Sequence, residues 1–534
     1  MTRPSSAVGA GLLPARPARP IVPGERIHVV GVAGAGASAA AILGAGAGAI
    51  IDGCDPAPDS QYVPAVLEAG IRIEPRHDPA HVRRVPQPDR LAVTKALTAV
   101  DPDHPELRVA REAGIPLEPW QQVVADAAVG RTLVGVAGTH GKSTTAGWLV
   151  HVLVAAGWDP SSFVGALLPS SITGGVPSTA RRGRGHAFVV EADEYAGNFD
   201  AYRPDIAILT NVEWDHPDVF ADRAAVIDAF TEWLLRPLTG VASPPTDTPS
   251  PPMGAQPPAI VVNVGDPGAA TVAERLASSP GRVIATALID AAPQRIAGFA
   301  RGLAEQYATA GGPATSLLGR ILAADTDGTT LEIAGLDQLA GPLRARLPTV
   351  GRHNAANALG VAAASLALGL SAEAIIGGLA TFAGIGRRLE RKGESRGVLV
   401  YDDYGHHPTA IRETLAAVRQ RHPGRRLWAV YEPLTFHRTA ALLDGFATAL
   451  AEADAVAIAD IWAGRDPDTT IASAEGLAAA VAARRPELEI GAPGSVERTA
   501  DWLAERVRPG DVVLVMGGGR SYRIGERLLD RLAA

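Results

Sequence analysis

Gly138, Thr139, His140, Gly141, Lys142, Ser143 and Thr144 read GTHGKST, between an apolar run, Leu133 to Ala137, and a helical pattern carrying Leu149, Val152 and Leu153. Strand, glycine-bearing turn and helix N-terminus together make a phosphate-binding loop. Unpaired N–H groups at a helix start and the helix dipole form an anion site. Lys142 supplies a compact positive charge for β- and γ-phosphates, and the Ser143 hydroxyl is suited to Mg²⁺. The common form of the loop has glycine five residues before Gly141, where Val136 stands here. An ordinary strand-to-helix turn with a chance Gly-Lys pair lacks this context. The chain has three lysines, Lys95, Lys142 and Lys392, so one of them falls in this loop.

At 534 residues the chain has room for about three domains of roughly 150 residues. With 47% hydrophobic and 20% charged residues the composition is globular, and a net charge of −8 argues against a nucleic-acid surface. No run approaches the ~18 apolar residues of a membrane span. A single cysteine, Cys54, excludes an intrachain disulfide and fits a reducing cytosol. It reads as a small buried filler, with nucleophile as the alternative. Residues 1–24, rich in Ala, Arg and Pro, read as a disordered lead-in.

Ile27 to Val32 read as a buried strand, and Gly34 to Ala39 (GAGASA) as a G-x-G-x-x-A turn opening a helix, with Asp52 and Asp55 near the end of the next apolar run. This is a Rossmann-like phosphate turn, in a region where Ala and Gly are common enough for chance agreement. The βα units run to about residue 129. In the central block, Ala187 to Val190 lead into Glu191-Ala192-Asp193-Glu194, and Ile206 to Thr210 into Asn211-Val212-Glu213-Trp214-Asp215-His216. Acids and imidazoles at the carboxyl ends of parallel strands lie where such sheets bind ligands, and Glu191 and His216 are the favoured metal ligands. Residues 239–258 are Pro-rich and aperiodic, an insertion within the central domain. GRHNAAN (Gly351 to Asn357) opens a helix; Asn354 either caps it or meets a nucleotide base, and Asn357 lies on another face. From about 384, strands at Val398–Tyr401, Leu427–Tyr431, Ala455–Ala459 and Val512–Met516 end in DDYGHHP, EPLTFHR, DIWAGRD and GGGRS. His406 and His407 beside Asp402 and Asp403 lack zinc-site spacing and read as nucleotide or substrate contacts.

The loop, EADEY, TNVEWDHPDVF, GRHNAAN, GIGRRLERKG and DDYGHHP stand in an order and spacing that resemble the Mur ligases, over about residues 25–534. DDYGHHPT and GAGASA are most similar to the branch joining L-alanine to UDP-N-acetylmuramate in peptidoglycan precursor synthesis. The resemblance implies an α/β fold of three domains. These are a Rossmann-like N-terminal domain (25–129) for the UDP-sugar, a central P-loop ATPase-type domain (130–383) and a Rossmann-like C-terminal domain (384–534) for the amino acid and closure. It implies ATP and Mg²⁺ as cofactors, UDP-N-acetylmuramate and L-alanine as substrates, and an ADP-forming reaction through an acyl phosphate in the cytoplasm. No nucleic acid or membrane insertion is expected. By position, the family's residues fall on Lys142, His216 and Arg388 for catalysis, and on Ser143, Glu191 and His216 for the metal. Residues 138–144, Asn354, Asn357 and Asp403 fall to ATP, and Gly34, Gly36, Ser38 and Asp55 to the UDP-sugar. Ala37, Ala39, Leu389 and Leu434 depart from the family pattern. A murein-tripeptide recycling ligase of the same family, or a nucleotide-binding relative without ligation, are the alternatives.

Overall fold

Three sheets organise the chain. In the computed structural model residues 8–57, 59–239, 258–276, 282–289, 298, 302, 315–335, 341–464, 466 and 468–534 are described. The first sheet is parallel, in the order Arg72–Glu74, Ile50–Cys54, Arg26–Val30, Arg90–Val93, Leu117–Pro119. Its strands are short and apolar on both faces, as parallel strands covered by helices must be. One face, carrying Ile27 and Val29, shares a continuous core with the central sheet through Phe163, Phe188 and Trp233. The other carries Val30, Leu91 and Val93 against Leu107 and Val82.

The central sheet has ten strands. The loop-bearing strand Thr132–Ala137 lies between Ile206–Leu209 and Ala187–Glu191, parallel to both. The sheet continues in both directions from that strand, so the GTHGKST loop sits where an open α/β sheet offers a crevice at its carboxyl edge. Antiparallel strands finish both edges, Ser178–Arg181 on one side and Gly328–Ala334 with Leu343–Leu347 on the other. The third sheet is parallel over Val398–Asp403, Val512–Gly517, Leu427–Glu432, Ala455–Ala459 and Glu489–Gly494, with Glu390–Ser395 antiparallel at one edge. Separate cores cover its two faces.

Residues 8–24 depart from the expectation of disorder. The Leu13 amide donates to the Leu117 carbonyl at 2.8 Å, and Ile21 is buried. Arg16 pairs with Glu118 at 2.7 Å and Asp126 at 2.8 Å, beside a buried Arg90 that binds the same two carboxylates. Basic residues in an Ala/Pro context looked solvated; their acidic partners are about a hundred positions away in sequence. The Pro-rich segment falls on 240–257, outside the described residues. Among the described residues, no helix is long and apolar enough to cross a membrane.

Candidate active site

The loop is shaped by two glycines. Gly138 has φ +133°, and a Cβ there would lie 2.1 Å from the Thr210 hydroxyl; Gly141, at φ +79°, is the residue before the helix Lys142–Ala155. Thr210 and Asn211, from the end of the neighbouring strand, bind the loop. The Thr210 hydroxyl donates to the His140 carbonyl at 2.6 Å, and the Asn211 side chain accepts from the His140 amide at 2.7 Å. The loop is thereby fixed by its own sheet.

Around it stand carboxylates and cations from the central and C-terminal domains, lining a cleft of about 1090 Å³. Lys142 Nζ lies 2.9 Å from Glu194 and 3.5 Å from Asp193. Burial opposes its charge, but these acids outweigh burial and hold the ammonium above its ordinary pKa. Burial pushes Glu194 up to about 7 despite Lys142. The Ser143 hydroxyl donates to Glu191 at 2.9 Å and accepts from Arg388 at 2.7 Å, so a C-terminal guanidinium reaches the first turn of the helix that follows the loop. Arg388 is presented by a turn in which Arg387 and Leu389 both have positive φ, 55° and 50°. Arg387 itself points away, onto Asp402 at 3.0 Å and the Gly517 carbonyl at 2.8 Å. Asp403 accepts the amides of Leu389 and Gly405, both at 2.7 Å, so its carboxylate fixes this turn as well as lining the cleft.

His216 adopts φ +55°, and its ring lies 4.7 Å from that of Tyr195, tilted by 59°. Burial lowers its pKa, and it groups with Asp193 and Glu194. Arg438, from the third domain, donates to His216 Nδ1 at 3.0 Å and pairs with Asp215 at 2.8 Å. Burial favours the neutral acid at Asp215, but Arg438 and the neighbouring imidazoles overcome it and hold the carboxyl well below its usual range. Asn357 packs against the loop, its Oδ1 2.9 Å from where a Gly141 Cβ would be. Asn354 does not cap the helix Arg352–Ala367: its amide side chain donates to the Val350 carbonyl at 2.8 Å.

The proposed UDP-sugar residues are not brought to this cleft. A Cβ at Gly36 would strike Trp120 at 2.1 Å, and Ser38 is buried, donating to Ala35 O at 2.9 Å beside Thr179. Gly34 precedes the helix Ala35–Gly46 and is exposed, while Asp55 accepts the amides of Ala33 and Ala57. The N-terminal domain meets the cleft instead through Trp120, Gln121, Ala96 and Val100.

Sequence reasoning gave no role to Arg438 or Glu213, and did not join His140, read as part of the loop, to His407, read as a nucleotide or substrate contact, through Glu213. EPLTFHR, at a strand end, was the available signal for Arg438. Glu213 takes a hydrogen bond from Thr409 at 2.7 Å and lies 3.4 Å from His407, joining the central and C-terminal domains. Burial, reinforced by His140, pushes His407 down to about 4. Between roughly pH 6.5 and 4 the unfolded chain therefore binds a proton that the folded chain refuses. Stability is complete above about 6.5 and drains as pH falls, by up to about 3 kcal/mol from this residue. Thermal midpoints taken across this range are expected to fall less steeply for His407→Gln than for the parent. Equal slopes would show that His407 does not carry the effect.

The fold and site define a three-domain α/β protein whose GTHGKST loop is met by side chains of the C-terminal domain. Models of the Mur ligase family catalytic domain, the Mur ligase middle domain and the Mur ligase glutamate ligase domain match residues 26–132, 136–244 and 387–519. A UDP-N-acetylmuramate–L-alanine ligase of Frankia casuarinae is 35% identical over 532 residues, covering 95% of this chain and 98% of the relative. The fold is similar to that of a UDP-N-acetylmuramate–alanine ligase from Thermotoga maritima (TM-score 0.68, 20% identity, 95% of this chain and 98% of the other). It is also similar to that of a murein peptide ligase from Psychrobacter arcticus (TM-score 0.65, 24% identity, 96% and 99%). The chain belongs to the Mur ligase family.

Proposed function

We propose that the protein joins L-alanine to UDP-N-acetylmuramate in the cytoplasm, with ATP cleaved to ADP and phosphate. The observation that carries this is the meeting of Lys142, Ser143 and Glu191 with Arg388 of the third domain, in a chain 35% identical to alanine-adding relatives. An unactivated carboxylate is a poor electrophile. A lactyl carboxylate oxygen attacks the γ-phosphorus, the bond to the ADP oxygen breaks, and an acyl phosphate results. The amine of L-alanine then adds to the acyl carbon, phosphate leaves with the bonding pair, and the ammonium proton passes to a base.

Lys142 and Arg388 bring positive charge to the transferring phosphoryl group, where preorganised electrostatics and positioning supply most of the acceleration. The oxygen-rich set suits Mg²⁺, because Ser143, Glu191, Asp193 and Glu194 offer hard donors and one Glu194 oxygen is buried without a partner. Ser143 and Glu191 would hold the ion, with His216 beside them, and the ion would neutralise phosphate charge. His216, kept neutral by burial, can hold a proton at a ring nitrogen. Asn357 and Asn354 flank the nucleotide, and Gly34, Gly36, Ser38 and Asp55 serve the UDP-sugar after the covering side chains move. Domain closure excludes water from the acyl phosphate.

ADP release by the full chain with Mg²⁺, ATP and UDP-N-acetylmuramate tests the reading, with L-alanine, glycine, L-serine or murein tripeptide as the acceptor. Release that requires both the sugar nucleotide and L-alanine is expected. Release driven by tripeptide alone would overturn it in favour of recycling. Absence of release under every combination would leave only nucleotide binding.

A further inference from the structure

A second cluster of ligating side chains lies in the first domain, among the strands and helices of its own sheet. His28 from the first strand, Cys54 from the end of the second, His81 from the short helix Ala80–Arg83 and Glu106 from the helix Pro105–Glu112 place one ligand atom each within 4.8 Å of one another. His28, Cys54 and Glu106 are fully buried, and the His81 side chain is 13% exposed. His81 Nδ1 is 2.6 Å from Glu106 Oε1, and Cys54 Sγ is 3.2 Å from Glu106 Oε2 and 3.1 Å from His77 Nδ1.

His28 decides how the cluster reads. Its Nδ1 lies 2.7 Å from Asp52, which is itself clamped by Arg84. Arg84 Nη2 also lies 3.2 Å from Nδ1; in the tautomer that donates its Nδ1 proton to Asp52, Nε2 presents a bare lone pair. That nitrogen is buried, has no hydrogen-bond partner, and faces Glu106 Oε1 at 4.0 Å. In that tautomer two lone pairs are opposed in a dry interior, and a cation between them turns the repulsion into coordination. A carboxylate fixing the far nitrogen of a histidine is also the habitual outer support of a metal-binding imidazole.

We propose that His28 Nε2, Cys54 Sγ, His81 Nδ1 and Glu106 bind one Zn²⁺ as a structural site. Two imidazoles, one thiolate and one carboxylate are a borderline donor set, which selects zinc over Mg²⁺. Tetrahedral zinc at its usual bond lengths needs donors roughly 3.3–3.8 Å apart, so the 2.6 Å His81–Glu106 and 3.2 Å Cys54–Glu106 contacts open while the 4.0 Å His28–Glu106 separation closes. Binding releases the Cys54 thiol proton to solvent, and the charges of thiolate, carboxylate and ion then cancel. Four protein donors leave no open position, so the ion ties two strands and two helices together and takes no part in ligation. His77 stays outside, oriented toward Cys54.

The site is separate from the ATP cleft, and its test does not depend on the proposed reaction. The full chain is dialysed against metal-free buffer and its zinc content is measured; Co²⁺ is then loaded in its place. About one zinc per chain should be retained. A near-ultraviolet thiolate-to-cobalt band should appear, and Cys54 is the chain's single cysteine, so this band has one possible origin. Cys54→Ser should abolish the band, and His28→Gln should lose the zinc. A chelator should lower the thermal midpoint of the parent but not of either variant. If a variant fails to fold, the parent's band alone decides. No cobalt–thiolate band in the parent, or equal zinc retention by parent and Cys54→Ser, would overturn the proposal.

Discussion

Lys142→Ala is expected to lower ATP turnover by about 10²–10³-fold, the usual cost of removing one preorganised charge stabiliser. The reason lies in the loop and not in the packing. Lys142 Nζ stands 3.4 Å from the Thr139 carbonyl and 2.9 Å from Glu194, at the mouth of a helix N-terminus where phosphate would lie. Truncation exposes no core side chain. It does leave Glu194, whose side chain is 1% exposed, without its cation. That residue already sits near 7 with the lysine in place, so it rises further, binds a proton and becomes neutral. The circular dichroism spectrum should therefore be unchanged while ADP release collapses. Lys142→Arg should not restore turnover, because a planar fork cannot occupy the slot of a compact ammonium. Normal ligation by Lys142→Ala would remove the loop from the mechanism.

How much of this was legible in the sequence depended on whether the relevant neighbours were local. The strands at Ala187, Ile206, Val398, Leu427, Ala455 and Val512 were readable because each is a short apolar run ending in polar residues, and all six appear within one or two residues of expectation. The loop was readable because its glycines, lysine and hydroxyls are consecutive. Arg388 was legible through its motif, but its presentation was not: two left-handed residues flank it, held by Asp403 and Glu390. The order of residues 8–24 was hidden because Arg16 is satisfied by Glu118 and Asp126, partners no local window contains. The same holds for His28, Cys54, His81 and Glu106, whose spacing matches no metal motif. Fold class is encoded in short-range periodicity, whereas charge pairing across domains becomes visible only after folding.

Arg438 shows that difference most sharply and carries the second large effect. Its side chain is 4% exposed and Asp215 is 3% exposed, at 2.8 Å, across the boundary between central and C-terminal domains. The residue that starts its helix, Thr435, holds φ +60° with ψ 146°, a region almost confined to glycine. The Thr435 hydroxyl caps the Arg438 amide, and its own amide donates to the Trp462 carbonyl at 3.0 Å, so the conformation is held from both sides. Strain maintained in this way aims one guanidinium at Asp215 and His216 Nδ1 together. Arg438→Met keeps the length and apolar stem but removes the charge. Asp215 is then a buried carboxylate left with the His216 backbone amide and imidazoles but no cation, and breaking such a pair costs about 3–5 kcal/mol. The docked arrangement of the C-terminal domain should be lost before the fold of either domain. Limited proteolysis should open between the central and C-terminal sheets, and ADP release should fall by at least the loss expected for Lys142→Ala. Arg438→Met combined with Asp215→Asn should recover part of the protease resistance, because no unpaired charge remains, yet should not recover turnover if Arg438 also orients His216. A double variant with full activity would reduce Arg438 to a charge partner; a single variant with parental protease resistance would remove it from domain closure.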